Sequence, residues 1–378
     1  MTSAPLSGVN VVEIGSYMSV PFAAMMLSDL GADVIKVEPP KGDPSRRFGR
    51  PKEVMAAIFV NTNRGKKSVV LDLKQEADRE QLRALLRVAD VVLSNWRPGV
   101  AARLGLGDDV LAELNPRLIR VYVSGYGSTG PDGDKPSYDS VVQARSGLTW
   151  AQGGDGEPML AAGYLVDKMT ATMAAQAVMA GLYRRSVTGE GDVIEVPMLD
   201  VMAYLNFPEI FAPRTFVDHE PLDARNRQMM ANRPMRALDG WILMSAVSAD
   251  QIRDAVAAVG HPEWSDEILA AADGPQMTRL LVERVESQTR SLTVTECIAR
   301  FDAFDVPVGQ CVDLDQHLAD AQVVHNELYE IVDHPHLGRV RQVRYPARSR
   351  HWGSLRGGTV APMLDADREQ VLGERAID

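Results

Sequence analysis

The chain has 378 residues, of which 45% are hydrophobic and 24% are charged, so its composition is that of a globular protein and not of a disordered or fibrous one. The length exceeds a typical domain of about 100 to 200 residues, which predicts two domains. The net charge of -11 excludes a general nucleic-acid binder, because neutralising phosphates requires a basic surface.

The N-terminal sequence has no basic stretch followed by an apolar one, and no window approaches the roughly 18 uninterrupted apolar residues of a membrane span. We therefore expect a cytoplasmic protein without a membrane partner. The two cysteines, Cys297 and Cys311, are too few for a disulfide framework and lack the paired spacing of a zinc site. No metal site is predicted.

The first forty residues predict a strand, a helix and a second strand. The helix starts near Pro21, which suits a first helical turn, and ends at Gly31, which suits a helix C-terminus. Such a crossover is right-handed and makes its two strands parallel. The alternation then continues, which indicates an α/β fold with a doubly wound parallel sheet. Strands are predicted over 9–14, 32–38, 68–73, 90–96, 118–125 and 192–196, and helices over 76–88 and 166–185.

The periodicity is lost between residues 211 and 235, which predicts a linker. A second unit follows, with a strand over 240–247, a helix over 250–259 and a strand over 308–312. From about residue 332 the sequence is again strand-like and irregular.

The sequence GYGSTG, directly after the predicted strand over 118–125, has the glycine spacing of a dinucleotide-binding turn. Such a turn needs its third glycine, here Gly130, in the opening of a helix. Gly130 instead runs into PDGDKP, and helix-forming sequence resumes only near Tyr138. The motif therefore predicts a loop and not a nicotinamide site.

All seven histidines lie at or beyond His219, so the predicted N-terminal sheet has none for catalysis. A G-x-S-x-G elbow is also absent from the sequence, and a Ser-His-Asp triad is disfavoured. His334 and His336 have no carboxylate at helical spacing, and we interpret them as a surface loop.

Asp167 lies where a loop meets the long apolar helix. The N-terminus of that helix would favour the charged carboxylate and hold its pKa low, and an ionised carboxylate can act as a nucleophile. An aspartate there is more often a helix cap that contributes about 1 kcal/mol. Position alone leaves both interpretations open and favours the cap.

Seven segments of the sequence have a specific order and spacing, and the resemblance that they carry is strongest over about residues 5–200. They are PLSGVNVVEIG, LSDLGADVIKVEPP, NRGKKSVVLDLK, ADVVLSNWRPGVAARLGLG, LNPRLIRVYVSGYGSTGP, YDSVVQARSGL and VDKMTATMAAQAVMAGLYRR. With them the chain resembles the class III CoA-transferases, which include formyl-CoA and carnitine CoA-transferases and the related α-methylacyl-CoA racemases.

The resemblance implies that Asp167 is the catalytic aspartate. Its carboxylate would attack an acyl-CoA thioester to give a mixed anhydride, CoA would convert this to an aspartyl-CoA thioester, and an acceptor acid would reverse the sequence. An acyl-CoA and a carboxylic acid are thus the implied partners, with CoA as carrier and no tightly bound cofactor.

The resemblance also implies CoA contacts, of which Lys74 and Arg103 are the expected phosphate partners. The implied contacts are Met18, Ser19, Leu71, Asp72, Leu73, Lys74, Asn95, Trp96, Arg97, Arg103, Ser137 and Tyr138.

Three departures argue against formate or oxalate as substrates. Met18 replaces a glutamine of formyl-CoA transferase, Pro39 stands where a basic residue is expected, and DGWILMSAVSAD replaces a glycine-rich loop. Racemases of the family place a histidine before the aspartate of the YDS segment, where this chain has Tyr138. A tyrosine with a pKa near 10 is a poor base, so the sequence favours transfer over racemisation. Intramolecular CoA transfer and CoA binding without turnover stay open.

The implied architecture is a Rossmann-like large domain with a smaller α+β domain, in an interlocked homodimer. The predicted bounds are 1–210 for the N-terminal part of the large domain, 211–234 for the linker, 235–330 for the small domain and 331–378 for a segment that returns to the large domain.

Overall fold

The chain divides into two units, each with a β-sheet of its own. The computed structural model describes residues 4–49, 55–153, 156–220, 232–352, 355 and 357–373. The first unit comprises Met1–Thr149, Leu160–Pro208 and Glu327–Asp378, and the second comprises Trp150–Met159 and Glu209–Asn326. Of the predicted linker, 221–231 lie outside the described residues.

A six-stranded parallel sheet forms the centre of the first unit. Its order is β3-β2-β1-β4-β5-β6, so the direction in which strands are added reverses between β1 and β4. The strands are mostly buried on both faces, as expected for parallel strands covered by helices. The predicted doubly wound α/β sheet is confirmed. The strands are β1 Asn10–Ile14, β2 Asp33–Glu38, β3 Lys66–Val70, β4 Val91–Ser94, β5 Ile119–Ser124 and β6 Asp192–Pro197.

Helices flank this sheet, and the longest of them, α8, packs against α1, β5 and β6. Small residues of α8 allow this close approach: a Cβ added at Gly181 would lie 3.0 Å from Ile119 Cγ2. The helices are α1 Ser19–Asp29, α2 Ala57–Asn63, α3 Glu76–Arg87, α4 Val100–Arg103, α5 Asp108–Leu114, α6 Asp139–Arg145, α7 Leu148–Gly153, α8 Leu165–Thr188 and α9 Met198–Asn206.

The second unit combines a three-stranded antiparallel sheet with helices around its own core, in which Phe301 and Ile242 are fully buried. Ser248 and Thr293 form capping boxes that fix the starts of two of its helices. Its elements are β7 Met235–Arg236, β8 Trp241–Met244, α10 Ala249–Ala258, α11 Trp264–Leu269, α12 Gly274–Thr289, α13 Val294–Asp302, β9 Val308–Gln310, α14 Leu314–Ala319 and α15 Ala321–His325.

A hairpin of β10, Tyr329–His334, and β11, Gly338–Val343, belongs to the first unit. The interpretation of His334 as a surface residue is wrong. Its ring is buried, and its Nε2 lies 3.0 Å from the Ala361 carbonyl oxygen while its Nδ1 accepts from the backbone N–H of His336. Both ring nitrogens thus have protein partners.

Within the described part of the chain, no helix is both long and apolar enough to cross a membrane.

Candidate active site

A cavity of about 310 Å³ opens at the carboxyl ends of β1, β4 and β5. The strand order reverses between β1 and β4, and in α/β sheets ligands bind at such a switch point. Three loops line the cavity: the turn after β1, the segment after β4 and the loop that leads into α6. Eight of the predicted site residues line it: Met18, Ser19, Asn95, Trp96, Arg97, Ser137, Tyr138 and Asp167.

The other five predicted site residues do not line this cavity. Leu71 is buried in the core beside α3, and Leu73 packs against the same core. Asp72 accepts from the backbone N–H of Lys74, in the turn after β3. Arg103 is the last residue of α4. Their assignment to CoA stays a prediction.

Asp167 is the third residue of α8, and its own side chain does not cap that helix. Its backbone N–H donates to Asp139 Oδ2 at 3.0 Å. The carboxylate of Asp139 therefore satisfies one of the free N–H groups at the helix start. The interpretation of Asp167 as the cap is wrong, because α8 begins two residues before it.

The expectation of a low pKa for Asp167 is also wrong. Burial of its carboxyl group, and then the negative charge of Asp139, raise the pKa of Asp167 to about 6, although a hydrogen bond from Ser19 lowers it in part. A helix N-terminus stabilises a nearby anion by only about 0.3 to 1 kcal/mol at exposed sites. Loss of water around the carboxylate outweighs that effect.

Asp139 is buried and held in place from two sides. Its Oδ1 accepts from Gln143 Nε2 at 2.6 Å, and Gln143 Oε1 accepts from the Ala161 backbone N–H at 3.0 Å. Neither Asp139 nor Gln143 was predicted from the sequence as a site residue. The sequence did contain a signal for their contact: Asp139 and Gln143 are four residues apart at a helix start, a spacing at which two side chains can hydrogen-bond.

The turn between β1 and α1 brings Met18 and Ser19 to the cavity in a constrained conformation. Tyr17 has a φ of 67°, a region that non-glycine residues seldom occupy. Asn95 holds the turn with both ends of its amide: Oδ1 accepts from the Ser16 N–H at 3.1 Å, and Nδ2 donates to the Ser16 carbonyl at 2.9 Å. In this structure Asn95 thus positions the turn.

A buried cluster of charged side chains also holds the turn between β1 and α1 in place. Lys36 Nζ lies 2.6 Å from Glu13 Oε1 and 2.9 Å from Asp43 Oδ2, and it donates to the Gly15 carbonyl at 2.9 Å. Lys66 Nζ lies 2.6 Å from Glu13 Oε2. Burial opposes the charge of Lys36, but Glu13 and Asp43 together raise its pKa. We call Glu13, Lys36, Asp43 and Lys66 the buried charge cluster; it was not predicted from the sequence.

A second cavity, of about 830 Å³, meets the first at Asp167. The two cavities share Tyr17, Met18 and Tyr138 as well, and the rings of Tyr17 and Tyr138 meet edge to face with centroids 6.2 Å apart. Asp167 is therefore accessible from both cavities.

The two cavities differ in charge. Arg97 and Lys135 bring positive charge to the wall of the first cavity, and Lys135 is paired with Asp132. Lys135, which lies in the PDGDKP loop, was not predicted as a site residue. The described lining of the second cavity contains no lysine, arginine or histidine.

The glycine motif GYGSTG forms a loop, as predicted. The residues after Gly130 are turns and irregular structure until α6 begins at Asp139. A Cβ at Gly125 would lie only 2.1 Å from Ser137 Oγ, so the first glycine of the motif allows the loop to pack against itself.

The fold and the site define an α/β enzyme whose switch-point cavity ends on a partly buried carboxylate. A sequence profile of CoA-transferase family III matches residues 6–368, so the chain belongs to this family. It is a class III CoA-transferase, and its reaction moves CoA between an acyl-CoA and a carboxylic acid.

Individual relatives agree with this assignment. The chain is similar to a probable fatty acyl-CoA transferase of Mycobacterium tuberculosis, with 34% identity over 79% of this chain and 80% of the relative. It is 31% identical to a succinate–glutarate CoA-transferase of Agrobacterium fabrum, over 84% of this chain and 83% of that protein. The crystal structure of a CaiB/BaiF family protein from Brucella suis matches with a TM-score of 0.84 and 26% identity, over 99% and 100% of the two chains.

Proposed function

We propose that the chain transfers CoA from an acyl-CoA to an acceptor acid through covalent intermediates on Asp167. The observation that carries this proposal is the position of the Asp167 carboxylate, which both cavities reach. A nucleophile that first accepts an acyl group and then CoA must be open to both groups.

The charges of the cavities suggest which group each one holds. CoA carries phosphates, and the first cavity offers Arg97 and Lys135 together with the N-terminus of α1, which attracts anions. The acyl group would then lie in the second cavity. The thioester carbonyl would come next to Asp167, where the cavities meet.

The transfer proceeds in balanced steps. The Asp167 carboxylate attacks the thioester carbonyl and expels CoA thiolate, which leaves an acyl-aspartyl anhydride. The thiolate attacks the aspartyl carbonyl of this anhydride, releases the donor acid as a carboxylate and forms an aspartyl-CoA thioester. The acceptor carboxylate then expels CoA from that thioester, and CoA attacks the acceptor carbonyl and frees Asp167.

The pKa of about 6 suits this role. At pH 7 most Asp167 side chains are ionised and can attack, and a carboxylate with a raised pKa is more basic than an ordinary aspartate. The side chain of Ser19 makes a hydrogen bond with the Asp167 carboxylate, and the backbone N–H of Asp167 donates to Asp139 Oδ2, so the nucleophile is held in place.

Racemisation of the same substrates would need two bases on either side of an α-carbon. No histidine lines either cavity among the described residues, and Tyr138 occupies the position where the related racemases have one. The geometry therefore supports transfer better than racemisation.

Exchange of an acid with its own CoA ester tests the proposal without knowledge of the natural acceptor. A labelled carboxylic acid should enter the matching acyl-CoA, and hydroxylamine added during turnover should convert Asp167 to a hydroxamate that mass spectrometry locates. Asp167→Ala should lower exchange by at least about a thousandfold, the scale of losing a covalent nucleophile.

Three results would overturn the proposal. They are full exchange by Asp167→Ala, tight CoA binding without exchange of any acid, and deuterium uptake from heavy water at the α-carbon without an acceptor acid. The second result would indicate a CoA-binding protein without turnover, and the third a racemase.

A further inference from the structure

The wall of the second cavity is largely apolar. Phe48, Ile58 and Leu160 contribute hydrocarbon surface, and Tyr164 packs edge to face against Phe48 with ring centroids 6.3 Å apart. Ala161 and Ala162 leave room between these larger groups.

The buried polar side chains on this wall already have partners. Gln143 is engaged at both ends, by Asp139 and by the Ala161 N–H. Ser45 Oγ donates to Asp43 Oδ1 at 2.7 Å. These groups have little capacity left to bind a charged substrate group.

The charged groups on the described wall are both carboxylates, Asp139 and Asp167. An acyl group that ends in a second carboxylate would be repelled by them, and the described lining itself offers it no cation. The Lys168 ammonium lies beside Gly163 on this wall, 3.5 Å from where a Cβ of that residue would be, but it is not one of the lining groups. An uncharged hydrocarbon group would instead gain from leaving water.

We infer that the acyl group in transfer is uncharged and apolar, so that the substrates are monocarboxylic acids and their CoA esters, and not dicarboxylic acids. This inference rests on the proposed function, since it assigns the second cavity to the acyl group carried by Asp167. It separates this chain in specificity from the relative named for succinate and glutarate.

Butyrate and succinate form a matched pair for the test, because they have the same number of carbons and differ by one terminal carboxylate. Exchange of labelled butyrate into butyryl-CoA should exceed exchange of succinate into succinyl-CoA by at least about tenfold in kcat/KM. From acetate to butyrate, kcat/KM should rise about fourfold per methylene group.

Leu160→Arg adds a cation to this wall at a side chain that is 54% exposed, so the fold tolerates the change. It should raise the ratio of succinate to butyrate exchange by about tenfold. Leu160→Gln is the matched control: it is polar but uncharged, and should lower butyrate exchange without favouring succinate.

These experiments distinguish failure of the proposed function from failure of the inference about the acyl group. If no acid exchanges, the proposed function fails and the inference fails with it. If succinate exchanges as well as butyrate or better, the function stands and the inference is overturned. An unchanged ratio in a folded Leu160→Arg enzyme would also overturn it, because the acyl group would then not lie against this wall.

Discussion

The Asp167 carboxylate is destabilising for the fold at neutral pH. Burial and the charge of Asp139 raise its pKa from 3.8 to about 6. Between these values the folded chain binds more protons than the unfolded chain, so stability falls as pH rises through that window. Most of the penalty is present above pH 6, and most of it is lost below about pH 4. At about 1.4 kcal/mol per pKa unit, the penalty is at most about 3 kcal/mol.

Asp167→Asn should therefore stabilise the protein by about 1 to 3 kcal/mol at neutral pH while it abolishes exchange. Urea unfolding at about pH 7.5 and about pH 4.5 measures this, and at the lower pH the gain should fall to about a third of its value at the higher pH. A gain that is equal at both pH values would contradict the raised pKa.

Two neighbours shift the pKa of Asp167 in opposite directions. Ser19 lowers it by a hydrogen bond and Asp139 raises it by its charge. Ser19→Ala should therefore move the acid limb of the pH-rate profile of exchange to higher pH, and Asp139→Asn should move it to lower pH. We expect the Ser19→Ala enzyme at about pH 6 to retain a few-fold smaller fraction of its own maximal exchange rate than the unsubstituted enzyme does.

Ser19→Ala and Asp139→Asn serve as controls for each other, because each alters one polar group near Asp167 but the two are expected to shift its pKa in opposite directions. Limbs that move in the same direction would show a general disturbance of the site and would contradict the assigned electrostatics.

At the level of elements, the buried charge cluster fixes the β1–α1 turn to the sheet. Lys36→Met would leave Glu13 and Asp43 without one of their cations in the core, and should lower the free energy of unfolding by about 3 to 5 kcal/mol. Arg83→Met is the control, because Arg83 pairs with two exposed glutamates on α3 and should cost about 0 to 1 kcal/mol. Urea unfolding of both variants gives the comparison.

Equal losses in the two variants would contradict the structural role given to Lys36. The same role predicts that Lys36→Met raises KM for acyl-CoA as well, because the turn that carries Met18 and Ser19 would no longer be held at the Gly15 carbonyl.

The sequence was sufficient to predict elements whose pattern is long or strongly apolar. Helix α8 begins one residue before its predicted start, and the six strands of the sheet were all predicted. Short helices such as α2, AIFVNTN, were missed because seven residues of mixed polarity show no clear period.

The buried charges were missed for a different reason. Glu13 and Lys36 interrupt apolar runs, and only the parallel register of β1 and β2, which places them opposite each other, shows that they pair. Asp139 lies 28 residues before Asp167, and the fold of the segment between them, which includes α6 and α7, sets their distance. That distance, and with it the pKa, does not follow from the local sequence.

At the scale of the whole molecule, an apolar patch lies along one side of α8, and α9, which packs against α8, carries a further exposed tyrosine. Tyr183 and Tyr204 are 75% and 73% exposed, and Val187 and Met179 lie on the same side of α8 as Tyr183. An exposed cluster of large apolar side chains is typical of an interface. It supports the predicted homodimer, which stays a prediction.

If two chains interlock as rings, the dimer has twice the 41.3 kDa chain mass and cannot exchange subunits without unfolding. Tagged and untagged dimers that are mixed under native conditions should therefore give no mixed dimer in native mass spectrometry, whereas co-expression should give it.

Tyr183→Lys places a charge in the apolar patch and should lower the yield of dimer. Val88→Lys, at the exposed end of α3, should not. A stable monomer, or mixed dimers that form within hours, would exclude interlocked chains.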